Sequence, residues 1–170
     1  FVCIGSNEEI LSIAEEWEKT DLKGQTVLPA FIDCHSHILA VANSFLQTDL
    51  WGIAEEDDIA KRIVNRKRGI VKCFNLSNEV ILDSGFMDQF DFPLVIQHNS
   101  GHSGFFNKKA QKLAGINSCF VQENEYFEAI KKLPVPDIEE IEEAFKEAEK
   151  LYMSKGISLV QEGQFLNEML

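Results

Sequence analysis

Three short apolar runs, separated by stretches with helical patterns, constrain the fold of this chain more than any other feature. The runs cover residues 27–33, 92–98 and 157–163, and their length and β-branched content predict strands. Strands that alternate with helical segments are typical of a parallel sheet, so this order predicts an α/β fold. In such sheets the functional side chains gather at the carboxyl ends of the strands.

Polar side chains stand at each of these predicted strand ends. His35 and His37 follow the first run, His98 ends the second, and Glu162 lies at the end of the third. Side chains at positions i and i+2 of a strand share a face, so the two imidazoles are expected to lie together with Asp33. Two neutral imidazoles suit a divalent metal, and Asp33 would orient one ring from behind. The alternative is that two exposed histidines simply cap a strand.

Composition excludes several classes of partner and setting. The chain carries 28 acidic against 16 basic residues, a net charge of −12, which argues against nucleic acid or an anionic membrane as a partner. Small molecules or other proteins fit better. The four cysteines form no C-x-x-C pair, which favours a reduced, cytoplasmic setting. No apolar run approaches the roughly 18 residues of a membrane span.

Capping and periodicity predict the remaining elements. Residues 1–5 have the pattern of a strand end, and Asn7 is the expected N-cap of the helix that follows. The other predicted helices cover 38–46, 55–67, 107 to Ala114-Gly115, and 137–155. The stretch from Gly69 to Phe90 has no firm period and yields no prediction.

The segment DLKGQTVLPAFIDCHSH, residues 21–37, resembles the first barrel strand of the amidohydrolase superfamily. The family pattern is D-x-x-G-x-x-x-x-P-G-x-I-D-x-H-x-H, and this chain matches it at Asp21, Gly24, Pro29, Ile32, Asp33, His35 and His37. Ala30 stands where the family usually has glycine.

Two further segments resemble the family-3 branch of the metal-dependent amidohydrolases. SGHSGFFNKKAQKLAGI, residues 100–116, is similar to a segment inside the long insertion after the first barrel strand, with matches at Ser100, Gly101, His102, Gly104, Asn107, Ala110 and Gly115. GISLVQEG, residues 156–163, resembles the next barrel strand of that branch. Because the three segments occur in the right order, they identify the chain as the N-terminal portion of such a hydrolase.

The resemblance implies an α/β fold with a partial (β/α)8 TIM-like barrel and an edge of a small β-sandwich domain. Residues 1–26 would be the remnant of the β-sandwich domain. Residues 27–170 would start the barrel, with a long insertion at about 38–150 after the first barrel strand.

The resemblance also implies a cytoplasmic hydrolase that uses a metal-activated water to cleave amide or N-acyl C–N bonds of a small-molecule substrate. One or two divalent ions, with zinc the expected metal, would be held by His35, His37 and Glu162. His102 would act in catalysis and contact the substrate, His98 and Asn107 would also bind the substrate, and Asp33 would support the metal ligands.

The residues themselves leave simpler interpretations open for several of these positions. Glu162 would otherwise be a solvated acid at a strand end, and His102 would otherwise pin its own loop. His98 would be a strand-end histidine with both nitrogens satisfied, and Asn107 a helix N-cap.

Chain length keeps a second hypothesis open. A full barrel needs roughly 200 residues, whereas only seven residues follow Gly163. The 170 residues alone are therefore expected to be inactive. The alternative function is a non-catalytic truncated fragment that binds a partner or self-associates, for example as a homodimer.

Overall fold

The computed structural model describes residues 3–14, 16–63 and 69–163, and the chain divides into two compact units, Phe1–Ala30 and Phe31–Leu170. In the described part of the first unit the regular element is helix α1 (Asn7–Ile13). Its N-cap is Ser6 rather than the predicted Asn7, because Ser6 and Glu9 bond reciprocally in a capping box. Residues 3–5 are not a strand, and residues 1 and 2 lie outside the described residues. A β-sandwich origin for this unit stays a prediction.

The second unit combines strands and helices in alternation. Its described strands are β1 (Phe31–Ser36), β2 (Thr48–Asp49), β3 (Val71–Leu76), β4 (Leu94–His98), β5 (Ser103–Phe106), β6 (Phe120–Gln122) and β7 (Ile157–Glu162). Its described helices are α2 (Ile38–Phe45), α3 (Glu56–Arg62), α4 (Ser84–Asp88), α5 (Lys108–Ala114), α6 (Glu123–Lys131) and α7 (Ile138–Ser154). None of the described helices is long and apolar enough to cross a membrane.

The strands form two sheets. Strand β1 pairs in parallel with β7, although the segment between them spans most of the unit. The other sheet has the order β2-β3-β4-β5-β6, with parallel pairing from β2 to β4 and antiparallel pairing from β4 to β6. The predicted α/β class is therefore confirmed as a mixed α/β fold, and a partial barrel remains an inference.

Alternation along β4 divides the core into two layers. Leu94 and Ile96 belong to a cluster that includes residues of α3 and α4, whereas Val95 belongs to a cluster with residues of α5 and α6. This is the period-two pattern of a strand with both faces covered, and it agrees with the apolar run predicted at 92–98.

Strands β1 and β7 are less buried than their sequences predict. The first strand begins at Phe31 and runs to Ser36, not over 27–33, and Phe31 and Ile32 are 58% and 62% exposed. Leu159 on β7 is 57% exposed. The prediction of buried strands was wrong here. Among the described residues β1 and β7 each have one neighbouring strand, whereas apolar sequences of this kind are typical of strands inside a larger sheet that is covered on both faces.

The helix predictions hold best where capping signals are strong. Asp137 caps α7 in a capping box with Glu140, and Gly115 ends α5 in the left-handed conformation at φ 66°. Helix α2 is as predicted, and α3 ends at Arg62, with residues 64–67 of that prediction outside the described residues. Within the stretch without a firm period, the structure contains β3 and α4.

Candidate metal site

Parallel pairing brings the ends of β1 and β7 to the same edge. Ser36 is in register with Glu162, and the backbone N–H of Gly163 donates to the carbonyl of Ser36 at 2.6 Å. The hydroxyl of Ser36 also hydrogen-bonds that of Tyr152 on α7. His35, His37 and Glu162 are therefore neighbours although about 125 positions separate them in sequence.

The rings of His35 and His37 lie together at this edge. Their centroids are 5.5 Å apart and their planes meet at 85°. Both rings adjoin Gly163: a Cβ atom there would lie 2.8 Å from His35 Nε2 and 3.2 Å from His37 Cε1. The two imidazoles lie together, although β1 ends at Ser36 and His37 is the N-cap of α2 and not a strand residue. The missing side chain at Gly163 leaves the space that both rings use.

Glu162 is held between His37 and the first turn of α2. Its Oε1 lies 3.0 Å from Nδ1 of His37, and its Oε2 accepts the backbone N–H of Leu39 at 3.1 Å. The Glu162 side chain is only 14% exposed, whereas that of His37 is 49% exposed. The N-terminal turn of a helix favours a carboxylate. Glu162 is therefore not the solvated acid of the simpler interpretation.

These contacts assign roles to the nitrogens of His37. An ionised carboxylate only accepts hydrogen bonds, so Nδ1 of His37 carries the proton that it shares with Glu162. Nε2 then has the free lone pair that a metal requires. A histidine ligand whose other nitrogen donates to a carboxylate is the usual arrangement in metal sites.

Asp33 supports the strand end in a different way from the one predicted. Its Oδ1 accepts the backbone N–H of His35 at 3.2 Å, so the described contact is with the backbone and not with an imidazole. The cause is local, because an aspartate readily bonds to the backbone N–H two residues further on.

The donor set fits a divalent cation in part. Zinc accepts imidazole nitrogens and carboxylate oxygens as ligands, and both kinds of group are present at this strand edge. Across residues 3–14, 16–63 and 69–163, however, no three His, Cys, Asp or Glu side chains are arranged to hold one ion jointly. The described residues thus place two imidazoles together, with a carboxylate beside one of them.

The remaining predicted site residues lie on or directly beside strands β4 and β5 of the five-stranded sheet. His98 ends β4 and is buried. Its Nε2 lies 3.1 Å from the carbonyl of Val80, which can only accept, and its Nδ1 lies 2.8 Å from the Ser103 hydroxyl. Nε2 therefore carries the proton and Nδ1 accepts. His98 has the two satisfied nitrogens of its simpler interpretation.

Asn107 is the N-cap of α5 and is 1% exposed. Its Oδ1 accepts the backbone N–H groups of Leu94 and Ala110, each at 3.0 Å. Its Nδ2 donates to the carbonyl of Phe92 at 2.7 Å and to that of Phe90 at 3.4 Å. The side chain joins α5 to the start of β4, and its amide is engaged within the protein.

His102 lies on an exposed turn before β5. Its Nδ1 is 3.3 Å from Oε2 of Glu123, and its carbonyl accepts the Glu123 backbone N–H at 2.7 Å. Its ring meets that of Phe127 edge-on with centroids 5.5 Å apart. The described side-chain contacts of His102 are thus with α6, and they hold the turn in place while the side chain stays 59% exposed.

Two residues of the site were missed by sequence reasoning. Leu39 contributes only its backbone N–H, which no side-chain pattern reveals. Gly163 is the other, and its signal is weak, because a glycine in or beside a strand can mark a close approach of neighbouring groups but also has other causes.

The family model that matches this sequence covers most of it. The model of the Amidohydrolase family aligns with residues 18–165. The chain belongs to the Amidohydrolase family. The matched range contains His35, His37 and Glu162, the three residues that the paired strand ends bring together. No curated protein sequence matches the chain.

Two solved structures share the fold of this amidohydrolase chain. One is an uncharacterised metal-dependent hydrolase from Pyrococcus horikoshii OT3, with 23% identity and a TM-score of 0.72 over 90% of this chain and 34% of that one. The other is an uncharacterised metal-dependent hydrolase from Pyrococcus furiosus, with 23% identity and a TM-score of 0.74 over 92% of this chain and 36% of that one. The chain therefore spans about a third of the length of these structures.

Proposed function

We propose that this chain is part of a metal-dependent hydrolase, with His35 and His37 as metal ligands. The observation that carries the proposal is the convergence of the two imidazoles over Gly163, with Glu162 bonded to one of them. Membership of the Amidohydrolase family supports it, as does the similarity of fold to two structures described as metal-dependent hydrolases.

Each residue of the proposed metal site would have a separate role. Glu162 would keep His37 in one tautomer and is itself fixed by the Leu39 N–H. As the third metal ligand that the family resemblance implies, it would instead bind the ion directly. His35 rests against Gly163, which limits the directions that its ring can take. His35 and His37 would hold a divalent ion, zinc in this proposal, whose chemistry when bound would be to lower the pKa of coordinated water and to polarise a carbonyl.

The proposed substrate is a small molecule with an amide or N-acyl C–N bond. The net charge of −12 disfavours nucleic acid and anionic membranes as alternatives. His102 is proposed to contact this substrate, since its side chain is exposed on a turn whose backbone is fixed by Glu123.

We also infer that β1 and β7 are neighbouring strands of a (β/α)8 barrel. Their parallel pairing supports this, because two parallel strands joined by a long connection are the repeating unit of such barrels. The position of His35 and Glu162 at the carboxyl ends of both strands agrees with the end that barrel enzymes use for chemistry.

Metal content tests the proposal directly. Purified protein loaded with zinc and dialysed is expected to retain the metal, whereas His35→Ala and His37→Ala should lose most of it. His102→Ala is the matched control and should retain the metal; in the intact enzyme the same substitution should slow the hydrolysis of N-acyl amino acids or simple amides. Equal zinc retention in His35→Ala, His37→Ala and the wild type would contradict the assignment of the ligands.

A second candidate function is association with another protein or another copy of this chain. Ile32 and Leu159 are in register on adjacent strands and both are more than half exposed, so together they form an apolar patch of the kind found at interfaces. Light scattering on the wild type and on Ile32→Glu separates the candidates. A dimer that Ile32→Glu dissociates, in protein that retains no zinc, would favour association over hydrolysis.

A further inference from the structure

A lysine interrupts the apolar strand β3. The sequence IVKCF places Lys72 in register with Val95 of β4, and side chains in register share a face of the sheet. That face belongs to the cluster that includes residues of α5 and α6. Lys72 is half-buried there and makes no hydrogen bond or ion pair with any residue that the structure describes. A lysine on such a face is normally paired.

Tyr126 on α6 is a second polar side chain without a partner. It is 4% exposed, and its hydroxyl hydrogen-bonds none of the described residues. The ring can lie this close to the sheet because residue 104 is a glycine: a Cβ there would be 3.0 Å from Tyr126 Cε2 and 2.8 Å from the carbonyl oxygen of Ile96. None of the described side chains has a fully buried oxygen or nitrogen that lacks a partner, so the Tyr126 hydroxyl keeps some access to solvent.

Lys72 and Tyr126 line the same cavity, which has a volume of about 240 Å³. Three carboxamide side chains also line it, those of Asn43, Gln47 and Gln97. The rest of the wall is formed by Cys73, Val95, Gly101, Phe127 and Ile130. None of these described lining residues is acidic, although the chain as a whole carries a net charge of −12.

A neighbouring cavity that Lys72 also borders differs in charge. It has a volume of about 210 Å³, and its lining includes Asp137 and Glu140. An anion entering that cavity would meet two carboxylates. The acid-free cavity beside Tyr126 is therefore the one in which the Lys72 ammonium would attract a negative ligand.

The pKa shifts of Lys72 and Tyr126 agree with the binding of an anion in the acid-free cavity. Burial lowers the pKa of the Lys72 ammonium, because the charged form loses hydration. Burial raises the pKa of the Tyr126 hydroxyl, so that the hydroxyl remains a hydrogen-bond donor well into the alkaline range.

We propose that this cavity binds a small organic carboxylate. The ammonium of Lys72 pairs with the carboxylate, the hydroxyl of Tyr126 and the amide of Gln97 donate hydrogen bonds to it, and the apolar wall packs against a short hydrocarbon body. The volume lies below the roughly 300 Å³ at which drug-sized pockets begin, so the ligand is small. The site does not use His35 or His37 and goes beyond the hydrolytic function proposed above.

Calorimetric titration with benzoate tests the proposal, with benzamide as the neutral isostere. The wild type is expected to bind benzoate saturably and to bind benzamide at least about tenfold more weakly, because a charge-assisted hydrogen bond is about twice as strong as a neutral one. Lys72→Met should weaken benzoate binding by about tenfold or more and leave benzamide binding unchanged. Lys112→Met, at an exposed lysine on α5, is the matched control and should bind like the wild type.

Tyr126→Phe provides an independent variant, since it removes only the hydroxyl. It should weaken benzoate binding about three- to tenfold, and it decides the question if Lys72→Met does not fold. Equal affinity of the wild type and both variants for benzoate, or equal affinity for benzoate and benzamide, would overturn the proposal. Lys72-dependent binding of inorganic phosphate in preference to benzoate would overturn the assignment to a carboxylate.

Discussion

Gly163 lies directly against the ring of His35, so close that a Cβ atom would be 2.8 Å from Nε2 and 2.9 Å from Cδ2. The backbone of Gly163 is not in the left-handed region, since it is not among the residues with positive φ. Space and not backbone conformation is therefore what this position requires of its residue.

Gly163→Ala is expected to displace the imidazole of His35 and to weaken metal binding without unfolding the protein. If the His35 ring moves by several tenths of an ångström, its nitrogen and that of His37 no longer converge on the position where both would bind the ion. Zinc affinity measured by competition with a chromophoric chelator checks this. Gln161→Ala, at an exposed position on the same strand, should bind zinc like the wild type, and equal affinity for Gly163→Ala would remove the packing argument.

Glu162→Gln is expected to lower metal affinity about 10- to 100-fold, the usual effect of losing a carboxylate behind a histidine ligand. The amide keeps the shape of the side chain but no longer accepts from both His37 and Leu39 with a full negative charge. The same chelator competition measures the loss. Glu142→Gln on the exposed face of α7 is the control, and an unchanged affinity in Glu162→Gln would show that His37 needs no carboxylate partner.

Asn107→Ala is expected to destabilise the fold by about 2–4 kcal/mol, because it removes an N-cap and leaves buried backbone groups unpaired. Four backbone groups contact this one side chain, from Phe90, Phe92, Leu94 and Ala110. Urea denaturation measures the change. If the stability were unchanged while substrate binding was lost, Asn107 would instead have the substrate role that the family resemblance implies.

The sequence predicted the elements that carry strong local signals. The caps at Asp137 and Asn107 and the glycine at 115 each satisfy helix ends by contacts within a few residues, and the pattern of β4 reflects burial on both faces. Ser6 was missed as the cap of α1 because Asn7 is an equally good capping residue, and only the bond to Glu9 decides between them.

The site was predictable only in part, since its geometry depends on long-range pairing. Spacing alone places His35 and His37 side by side, but the bond from Glu162 to His37 exists because β1 and β7 pair in a particular register. The exposure of Phe31 could not be read from an apolar run, because that exposure depends on how many strands flank it. Lys72 lies in a stretch without a period, and its face becomes evident only from its register with Val95.

Lys72→Met is expected to be more stable than the wild type at neutral pH, and this advantage should shrink as the pH rises. Burial lowers the pKa of Lys72 in the folded state, whereas in the unfolded chain it is about 10.4. Between these two values the unfolded state binds a proton that the folded state lacks, so the stability of the wild type rises with pH. Below this window the wild type carries the full cost of a buried charge, which methionine lacks.

Urea denaturation of both proteins from pH 7 to 10.5 measures this difference. Burial raises the pKa of Tyr126 and of Cys119, but both groups occur in both proteins, so their titration cancels when the two free energies of unfolding are subtracted. Lys112→Met should differ from the wild type by a constant amount, since that lysine is exposed. A constant difference for Lys72→Met as well would show that Lys72 is hydrated in the folded protein. Benzoate at a concentration that saturates the wild type should stabilise the wild type more than Lys72→Met, because the stabilisation by a ligand grows with its affinity for the folded state.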